Sequence, residues 1–285
     1  MKTSHIKHLT ELNFAMMLIS TSGVLGRYIS MPPPITIWWR SAFAVLCLAI
    51  FIWYKKINLK IGSKRDLRTI IISGFLMGTH WITYFYALKL SGVAIGMLAM
   101  FTYPIITVFL EPLFFKTRLN LNHVFLGILV LVGIYFLTPE FDLGNNVTLG
   151  ILSGIISAVF YAIRNILMKK KTASYHGSML MFYQMIIITI VLWPVFFVFE
   201  GNPSTNDWLG LGALALLTTA VGHTLFVLSM KNFSIGTISI MSSIQPIYGI
   251  LFGMLFLSEI PGLKTVIGGV LIIATVVIES FASRK

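Results

Sequence analysis

Apolar stretches of roughly twenty residues, joined by short polar or Pro/Gly-rich segments, run through this chain from one end to the other. A stretch of that length crosses about 30 Å of hydrocarbon as an α-helix. Inside hydrocarbon the backbone must satisfy its own hydrogen bonds, and a helix does so within itself. Ten such stretches can be drawn, at 12–29, 35–54, 67–88, 93–115, 121–138, 149–168, 178–199, 208–230, 235–257 and 263–282. Their apolar character is continuous where a membrane β-barrel would alternate. Composition agrees: 57% of the residues are hydrophobic and 11% charged, against about 25% charged in soluble chains. The expected fold class is therefore an all-α integral membrane protein with ten transmembrane helices. The first stretch is long enough to span and is followed by Met31-Pro32-Pro33-Pro34, not by a small-residue cleavage site, so it reads as a retained helix. Cys47 is the sole cysteine, which excludes an intramolecular disulfide.

The 21 basic residues outnumber the 9 acidic ones, for a net charge of +12. Their placement points away from a nucleic-acid partner, because they alternate between joints. With the N-terminus in the cytoplasm, the inner joints collect Lys55, Lys56, Lys60, Lys64, Arg65, Arg68, Lys116, Arg118, Lys169, Lys170, Lys171 and Lys231. The outer ends hold Arg27, Lys89 and Lys264 together with Glu140, Asp142, Glu200, Asp207 and Glu259. That is the positive-inside pattern. It predicts a multi-pass protein of the cytoplasmic (inner) membrane with both termini inside, whose partners are the lipid bilayer and a small molecule.

A second regularity lies beneath the first. The segment from Tyr86 to Leu121, moved along by 142 residues (231 − 89), falls on Leu228 to Leu263 with Lys89 on Lys231, Pro104-Ile105 on Pro246-Ile247 and Gly127 on Gly269. The chain divides into two repeats, 1–142 with the first five helices and 143–285 with the second five. Five is odd, so the second half enters the membrane from the opposite side. The charges follow suit: the joint after the second helix is basic, whereas its counterpart from Glu200 to Asp207 has no basic residue. Inverted halves are related by a pseudo-two-fold axis in the membrane plane, and a site at their interface can open to either face by rocking.

The residues that carry a family resemblance are Trp38-Trp39-Arg40 opening the second helix, Tyr86-Ala87-Leu88-Lys89 closing the third, the Pro104 and Pro246 helices, and Leu257-Ser258-Glu259 ending the ninth before a Gly-rich tenth. In these the chain resembles the EamA family of the drug/metabolite transporter superfamily, over nearly its whole length. It departs at Thr117-Arg118-Leu119, where the family often has a Glu before Arg-Leu. The resemblance implies a ten-helix carrier of small metabolites, frequently an exporter of amino acids or related compounds, and places the third and eighth helices along a central cavity.

Charges inside hydrocarbon cost roughly 2.5 to 3.5 kcal/mol each on insertion scales, so they tend to face the bundle interior and mark pathways. His80 and Tyr84 share a face at i, i+4, as do Thr219 and His223. The two histidines lie one position from repeat equivalence. They, with Trp81, Tyr84, Tyr103, Gln245 and Arg40, are the candidate substrate contacts, and interhelical hydrogen bonding or core packing is the competing role. Arg40 has a further alternative, snorkelling outward to backbone carbonyls, which is easier still for Arg164 near the inner face. Glu111, whose repeat counterpart is Gly253, is the candidate for proton coupling, with Lys116 close enough to hold it at the interface instead. Pro104 and Pro246 are the candidate hinges, since a mid-helix proline frees a carbonyl and kinks the span. The small-xxx-small pairs at Gly74/Gly78, Gly92/Gly96, Gly150/Gly154 and Gly249/Gly253 read as packing devices. No metal-ligand spacing and no nucleophile or H-E-x-x-H motif is present, so neither metal, cofactor nor enzymatic activity is expected. The expected function is secondary transport of a small metabolite by alternating access. A passive channel or a membrane scaffold is the alternative, and an intramembrane enzyme a more remote one.

The topology is open to a direct check. In a Cys47→Ser background, a membrane-impermeant thiol reagent added to intact cells is expected to label Asn202→Cys and to leave Ser63→Cys untouched. Labelling at position 63 overturns the orientation.

Overall fold

The computed structural model describes residues 2–115, 121–137, 142–232, 238, 242 and 244–282, with their side chains except at 2–6, 9, 108, 111, 115, 121–124, 276 and 279–282. Thr117-Arg118-Leu119, Lys116 and Glu140 lie outside the described residues, as does the side chain of Glu111. Every regular element among the described residues is a helix, and none of them is a strand. In order they form α1 (Lys2–Tyr28), α2 (Pro33–Lys55), α3 (Lys64–Met100), α4 (Tyr103–Phe115), α5 (Leu121–Leu137), α6 (Asn146–Lys171) and α7 (Gly177–Leu192). There follow α8 (Thr205–Ser229), whose middle widens into π-helical turns over Leu214–His223, then α9 (Ile244–Leu257) and α10 (Leu263–Ala282). Five helices, Pro33–Lys55, Lys64–Thr107, Asn146–Lys171, Gly177–Phe197 and Thr205–Ser229, are long and apolar enough to cross a bilayer, and three shorter apolar helices accompany them.

Local chemistry sets the helix ends. Pro33 and Pro34 occupy the first turn of α2, where a missing N–H costs nothing. Ser63 Oγ accepts from Asp66 N at 3.1 Å to start α3, Asn145 Oδ1 accepts from Val147 N at 2.8 Å to start α6, and Ser204 with Asp207 forms a capping box on α8. One boundary differs from expectation: α1 begins at Lys2, well before Leu12. A helix that leaves the apolar slab keeps its backbone bonds. Glu11 adds side-chain partners one turn back, Lys7 at 3.9 Å and His8 at 3.3 Å.

The third and fourth apolar stretches are joined within α3 by a break at Gly92 (φ 81, ψ 172). A side chain is strained at such a positive φ. The reading of Gly92/Gly96 as a packing pair is thus extended: Gly92 also turns the backbone, beside Glu259, while an added Cβ at Gly96 would meet the backbone of Ala87 and Leu88 at 3.0 Å. A second interruption falls at Phe101–Thr102. The expected mid-span kink at Pro104 is instead a full break, because proline fits the first turn of a helix and Pro104 is the second residue of α4. Pro246 lies within α9, and residue 243, which precedes that helix, is outside the described residues. At Pro194, α7 tightens into a 3-10 turn, Trp193–Phe197.

The packing has a symmetry of its own. α2 lies against α7 and α5 against α10, and each pair maps onto itself when helix n is exchanged with helix n+5. The α3–α6 contact maps onto α8–α1, α4–α6 onto α9–α1, and α3–α7 onto α8–α2. This is the relation expected of two five-helix repeats about a pseudo-two-fold axis. Backbones approach closely where the sequence offers small residues: a Cβ at Gly154 would stand 2.6 Å from Ala99 Cβ, one at Gly74 2.8 Å from Ile187, and one at Gly268 2.6 Å from Gly133 O. Large apolar side chains such as Trp53, Phe197, Leu255 and Ile260 face outward and are exposed, while Arg40, Gln184, His80 and several Ser and Thr are buried. Apolar outside and polar inside is the arrangement a lipid solvent demands.

Gly92→Ala would place a Cβ at positive φ and 3.1 Å from Glu259 Oε2. It is expected to lower stability by about 1–2 kcal/mol, read as a lower melting temperature of the detergent-solubilised protein. Gly212→Ala, which meets nothing within 4 Å, serves as the control; equal melting of the two variants would show that the break tolerates a side chain.

Candidate functional site

α1, α3, α6, α8 and α9 enclose a cavity of about 20 Å³, sized for a water, not an organic molecule. His80, Trp81, Tyr84, Tyr161, His223 and Gln245 are on its wall. His80 and Tyr84 lie one turn apart on α3 and their rings are parallel, 6.1 Å between centroids. On its other side His80 stacks with Tyr161 of α6 at 4.4 Å. Its Nδ1 lies 2.7 Å from Ser157 Oγ and 3.1 Å from Ser157 O, and Ser157 Oγ is 2.9 Å from the His80 carbonyl to which it can donate. His80 is therefore both a wall of the cavity and a strut between the two halves.

His223, from the π-helical stretch of α8, reaches the same cavity. Its ring meets Trp81 at 5.4 Å, and its Nδ1 is buried without a hydrogen-bond partner. The two histidines expected on facing helices are thus brought to one cavity. π-Helical turns are rare and concentrate at functional positions. Here the wide turn lets Thr218 and Thr219 both donate to Leu214 O, at 2.5 and 3.0 Å.

Those two hydroxyls in turn accept from Arg40 of α2: Nε to Thr219 Oγ1 at 2.7 Å and Nη2 to Thr218 Oγ1 at 3.1 Å. The guanidinium lies flat against Trp81, its Cζ 3.7 Å from the ring centroid. Arg40 is fully buried, which removes the outward-snorkelling alternative. Arg164 does not snorkel either. It is also fully buried, because Gln184 Oε1 at 2.9 Å and Asn165 Oδ1 at 3.0 Å supply acceptors inside the bundle.

The remaining candidates are placed as follows. Gln245 Nε2 is 2.8 Å from Met16 Sδ at the cavity edge. Tyr103 stands next to the cavity, edge-on to Tyr161 at 4.9 Å, and lines an adjoining cleft of about 40 Å³ with Thr107, Asn165 and Lys169. Pro104 follows Tyr103 directly, and Pro246 follows Gln245. Glu111 is placed on α4 by its backbone alone. Among the described residues no group of three His, Cys, Asp or Glu is arranged to hold a metal ion. Sequence reasoning missed Ser157 and Tyr161. The signal was there: at i, i+4 on α6 and in line with Arg164, they form a polar stripe in an apolar span of the kind that singled out His80 and Tyr84.

Each end of the bundle is tied by polar contacts, some within a half and some, through Glu259, Asp207, Asp66 and Tyr183, across the halves. At one end Lys89 Nζ donates to Ile29 O at 2.7 Å and Met31 O at 2.8 Å, carbonyls of the joint between α1 and α2. Arg27 bonds Lys89 O at 2.8 Å and Glu259 Oε1 at 3.1 Å. Glu259 Oε2 accepts from Val93 N at 2.7 Å, the N–H freed by the Gly92 break. Asp207 accepts from Ser30 N and Oγ, both at 2.8 Å. At the other end Asp66 pairs with Lys171 and accepts from Tyr175 OH at 2.7 Å, Tyr183 OH donates to Leu59 O at 2.8 Å, and Lys169 Nζ donates to Met230 O.

An apolar helical bundle with pseudo-symmetric halves and a cavity lined by His80, Tyr84, His223 and Gln245 between them has the build of a multi-pass membrane protein. Comparison makes the assignment: the model of the EamA-like transporter family matches residues 12–138 and again 148–281, and the chain belongs to that family. It is a membrane transporter and not an enzyme. It is similar to the "Pseudopaline exporter CntI" of Pseudomonas aeruginosa, 23% identical over 248 residues that cover 86% of this chain and 84% of that one. It is also similar to the "Uncharacterized transporter YxxF" of Bacillus subtilis, 24% identical over 275 residues, 93% and 86% of the two chains. An uncharacterized transporter of Archaeoglobus fulgidus is 29% identical over 197 residues, 69% and 70% of the chains. A solved protein structure superposes with a TM-score of 0.72 over 98% of both chains at 16% identity, so the fold is shared.

Thr219→Val keeps the shape of the side chain and removes the acceptor for Arg40 Nε. It is expected to cost about 1–3 kcal/mol, the penalty for a buried donor left unpaired, as a fall in melting temperature. No fall would mean that Arg40 finds another partner.

Proposed function

We propose that the protein is a secondary carrier that exports a small metabolite across the cytoplasmic membrane by alternating access. Its repeats, 1–142 and 143–285, are inserted in opposite senses and both termini face the cytoplasm, so the Lys89–Glu259 end faces out and the Asp66–Lys171 end faces in. The observation that supports this most is a polar cavity closed at both ends by bonds that cross between the halves. A channel needs one continuous path in a single conformation; a carrier needs two seals that open in turn. Export is drawn from the exporter relative, and small-metabolite cargo from the family.

In this reading His80, Trp81, Tyr84, His223, Gln245 and Arg40 form the binding region, and Tyr103 with Tyr161 lies between it and the inner cleft. The cavity expands when cargo enters and one seal parts. Pro104 begins a half-helix after the Phe101–Thr102 break and Pro246 lies in α9 next to Gln245, both beside the cavity, where a change of helix angle moves the wall. Glu111 is the proton-coupling candidate.

The test is saturable flux and counterflow by purified protein in proteoliposomes. His80→Phe and His223→Phe keep a ring and lose the nitrogens. Each is expected to weaken substrate binding about tenfold, the loss of one or two hydrogen bonds, with folded protein retained. Pro104→Ala and Pro246→Ala are expected to insert normally and to slow transport. Normal transport by both histidine variants would move the site elsewhere, and normal transport by both proline variants would end the hinge assignment. Flux that never saturates would identify a channel.

A further inference from the structure

Where α2 ends, the chain turns back and leaves a groove open to the surface. Lys56 closes the helix in a left-handed conformation (φ 51, ψ 41). Lys56, Ile57 and Leu59 of the following loop, with Ala49 and Trp53 of α2 and Phe182 of α7, line a groove of about 660 Å³, a volume within the range of about 300–1,000 Å³ that ligand sites occupy. Its walls are largely apolar, and Lys56 brings a cation to them. Helices that end in a left-handed residue usually place Gly or Asn there, because a Cβ is strained in that conformation. Lysine at this position keeps the strain and gains a charge beside the groove.

The charge at this end of the bundle is one-sided. From Lys55 to Arg68 the sequence sets Lys55, Lys56, Lys60, Lys64, Arg65 and Arg68 against Asp66 alone, and Asp66 is already held by Lys171 and Tyr175. Among the described residues Lys55, Lys56 and Lys60 have no carboxylate partner. Exposed aromatic rings occur at both ends, Trp53 here and Trp193 and Phe197 at the other, as a membrane interface favours, yet the joint 200–207 at the other end has no basic residue. An interfacial belt explains the aromatics and leaves the groove with its lysine unexplained. Basic pockets between helices on the cytoplasmic side take anionic lipid head groups. The loop is also part of the tie between the halves: Leu59 O accepts from Tyr183 OH of α7 at 2.8 Å, and Gly62 N donates to Tyr175 OH at 2.9 Å.

We infer that this groove seats one anionic phospholipid, its phosphate received by Lys56 and an acyl chain lying along Ala49, Trp53 and Phe182, and that the bound lipid holds the 57–62 loop in the tie to α7. The occupant is a lipid and not a soluble phosphate, because a free phosphate uses the lysine and leaves the apolar walls wet. Placing that lipid in the cytoplasmic leaflet rests on the orientation proposed above; the groove and its charge do not. By packing the loop against α7 the lipid favours the closed form of this end.

The experiment titrates the purified full chain in detergent with palmitoyl-oleoyl phosphatidylglycerol, with the phosphatidylcholine of the same chains and with glycerol phosphate. Binding is read from the melting temperature and from native mass spectra. Phosphatidylglycerol is expected to raise the melting temperature and to stay bound as a single copy, and the other two to do neither. Lys56→Gly removes the cation and relieves the left-handed backbone. It is expected to melt no lower than the parent without lipid and to bind phosphatidylglycerol about tenfold or more weakly, the loss of a hydrogen bond to a charged group. Ala49→Trp fills the groove at unchanged charge and is expected to weaken binding as well. Lys64→Gln with Arg68→Gln removes two charges outside the groove lining and is expected to bind as the parent does. Amide exchange over 57–62 is expected to slow with lipid, and unchanged exchange refutes the hold on the loop. Equal response to phosphatidylcholine or to glycerol phosphate, normal binding by Lys56→Gly, or an equal loss in the Lys64/Arg68 variant overturns the lipid seat. These readouts need no transport: absence of flux in vesicles of every lipid composition counts against the carrier reading and leaves the lipid seat standing.

Discussion

Lipid cannot donate or accept a hydrogen bond, and the architecture of this bundle follows from that one deficit. Each interruption of a helix must be answered from within the protein. The break at Gly92 frees the Val93 N–H, and Glu259 of the opposite repeat accepts it at 2.7 Å. The joint after α1 presents the carbonyls of Ile29 and Met31, and Lys89 donates to both. The partners come from distant parts of the chain because the local backbone is already committed to helix. Satisfying a break therefore joins two elements that would otherwise slide past each other, and the places where helices fail become the places where the bundle is tied.

The same deficit separates two kinds of contact between helices. Where backbones meet through Gly154 and Ala99, or Gly133 and Gly268, the contact is dispersion over closely fitted surfaces and has no polar content to lose. Where Arg40 meets Thr218 and Thr219, or His80 meets Ser157, the contact depends on hydrogen bonds that water can replace. Polar contacts line the cavity and the ends, and fitted apolar contacts hold the outer pair α5 and α10. The proposed carrier cycle has use for that division: contacts exchangeable with water lie along the path it would open, and contacts that gain nothing from water lie where the helices would stay together.

Much of this was legible in the residues. Ten apolar runs and a repeat in register from Lys89/Lys231 to Gly127/Gly269 give the helices and their pairing, since both depend on local periodicity and on order along the chain. His80 and His223 were legible as a pair because inverted halves carry related positions to one interface. What escaped depends on direction, which spacing does not encode. Arg164 looks able to snorkel from its place near the end of α6, and only the approach of Gln184 from α7 turns it inward. Gly92 reads like any other glycine of a small-xxx-small pair until its φ is known. Ser157 and Tyr161 gain meaning only once α6 lies against α3.

The seals and the cavity differ in a way that bears on how such a bundle moves. The pair Arg27–Glu259 is half exposed, and pairs of that kind contribute little, about 0–1 kcal/mol. Its partner bonds, to Val93 N and Lys89 O, are with backbone groups that water serves almost as well once the end parts. Opening a seal therefore exchanges protein partners for water at small net cost. The cavity has no such exchange while it is closed: at about 20 Å³ it holds little water, and Arg40 Nη1 and His223 Nδ1 stay unpartnered. The strained part of the closed form is thus its centre, and entry of water or cargo relieves it. In the proposed carrier cycle, contacts easily exchanged with water hold the ends shut and buried polar groups without a protein partner stand at the centre, which puts the two-state element of that cycle at the interface between the repeats.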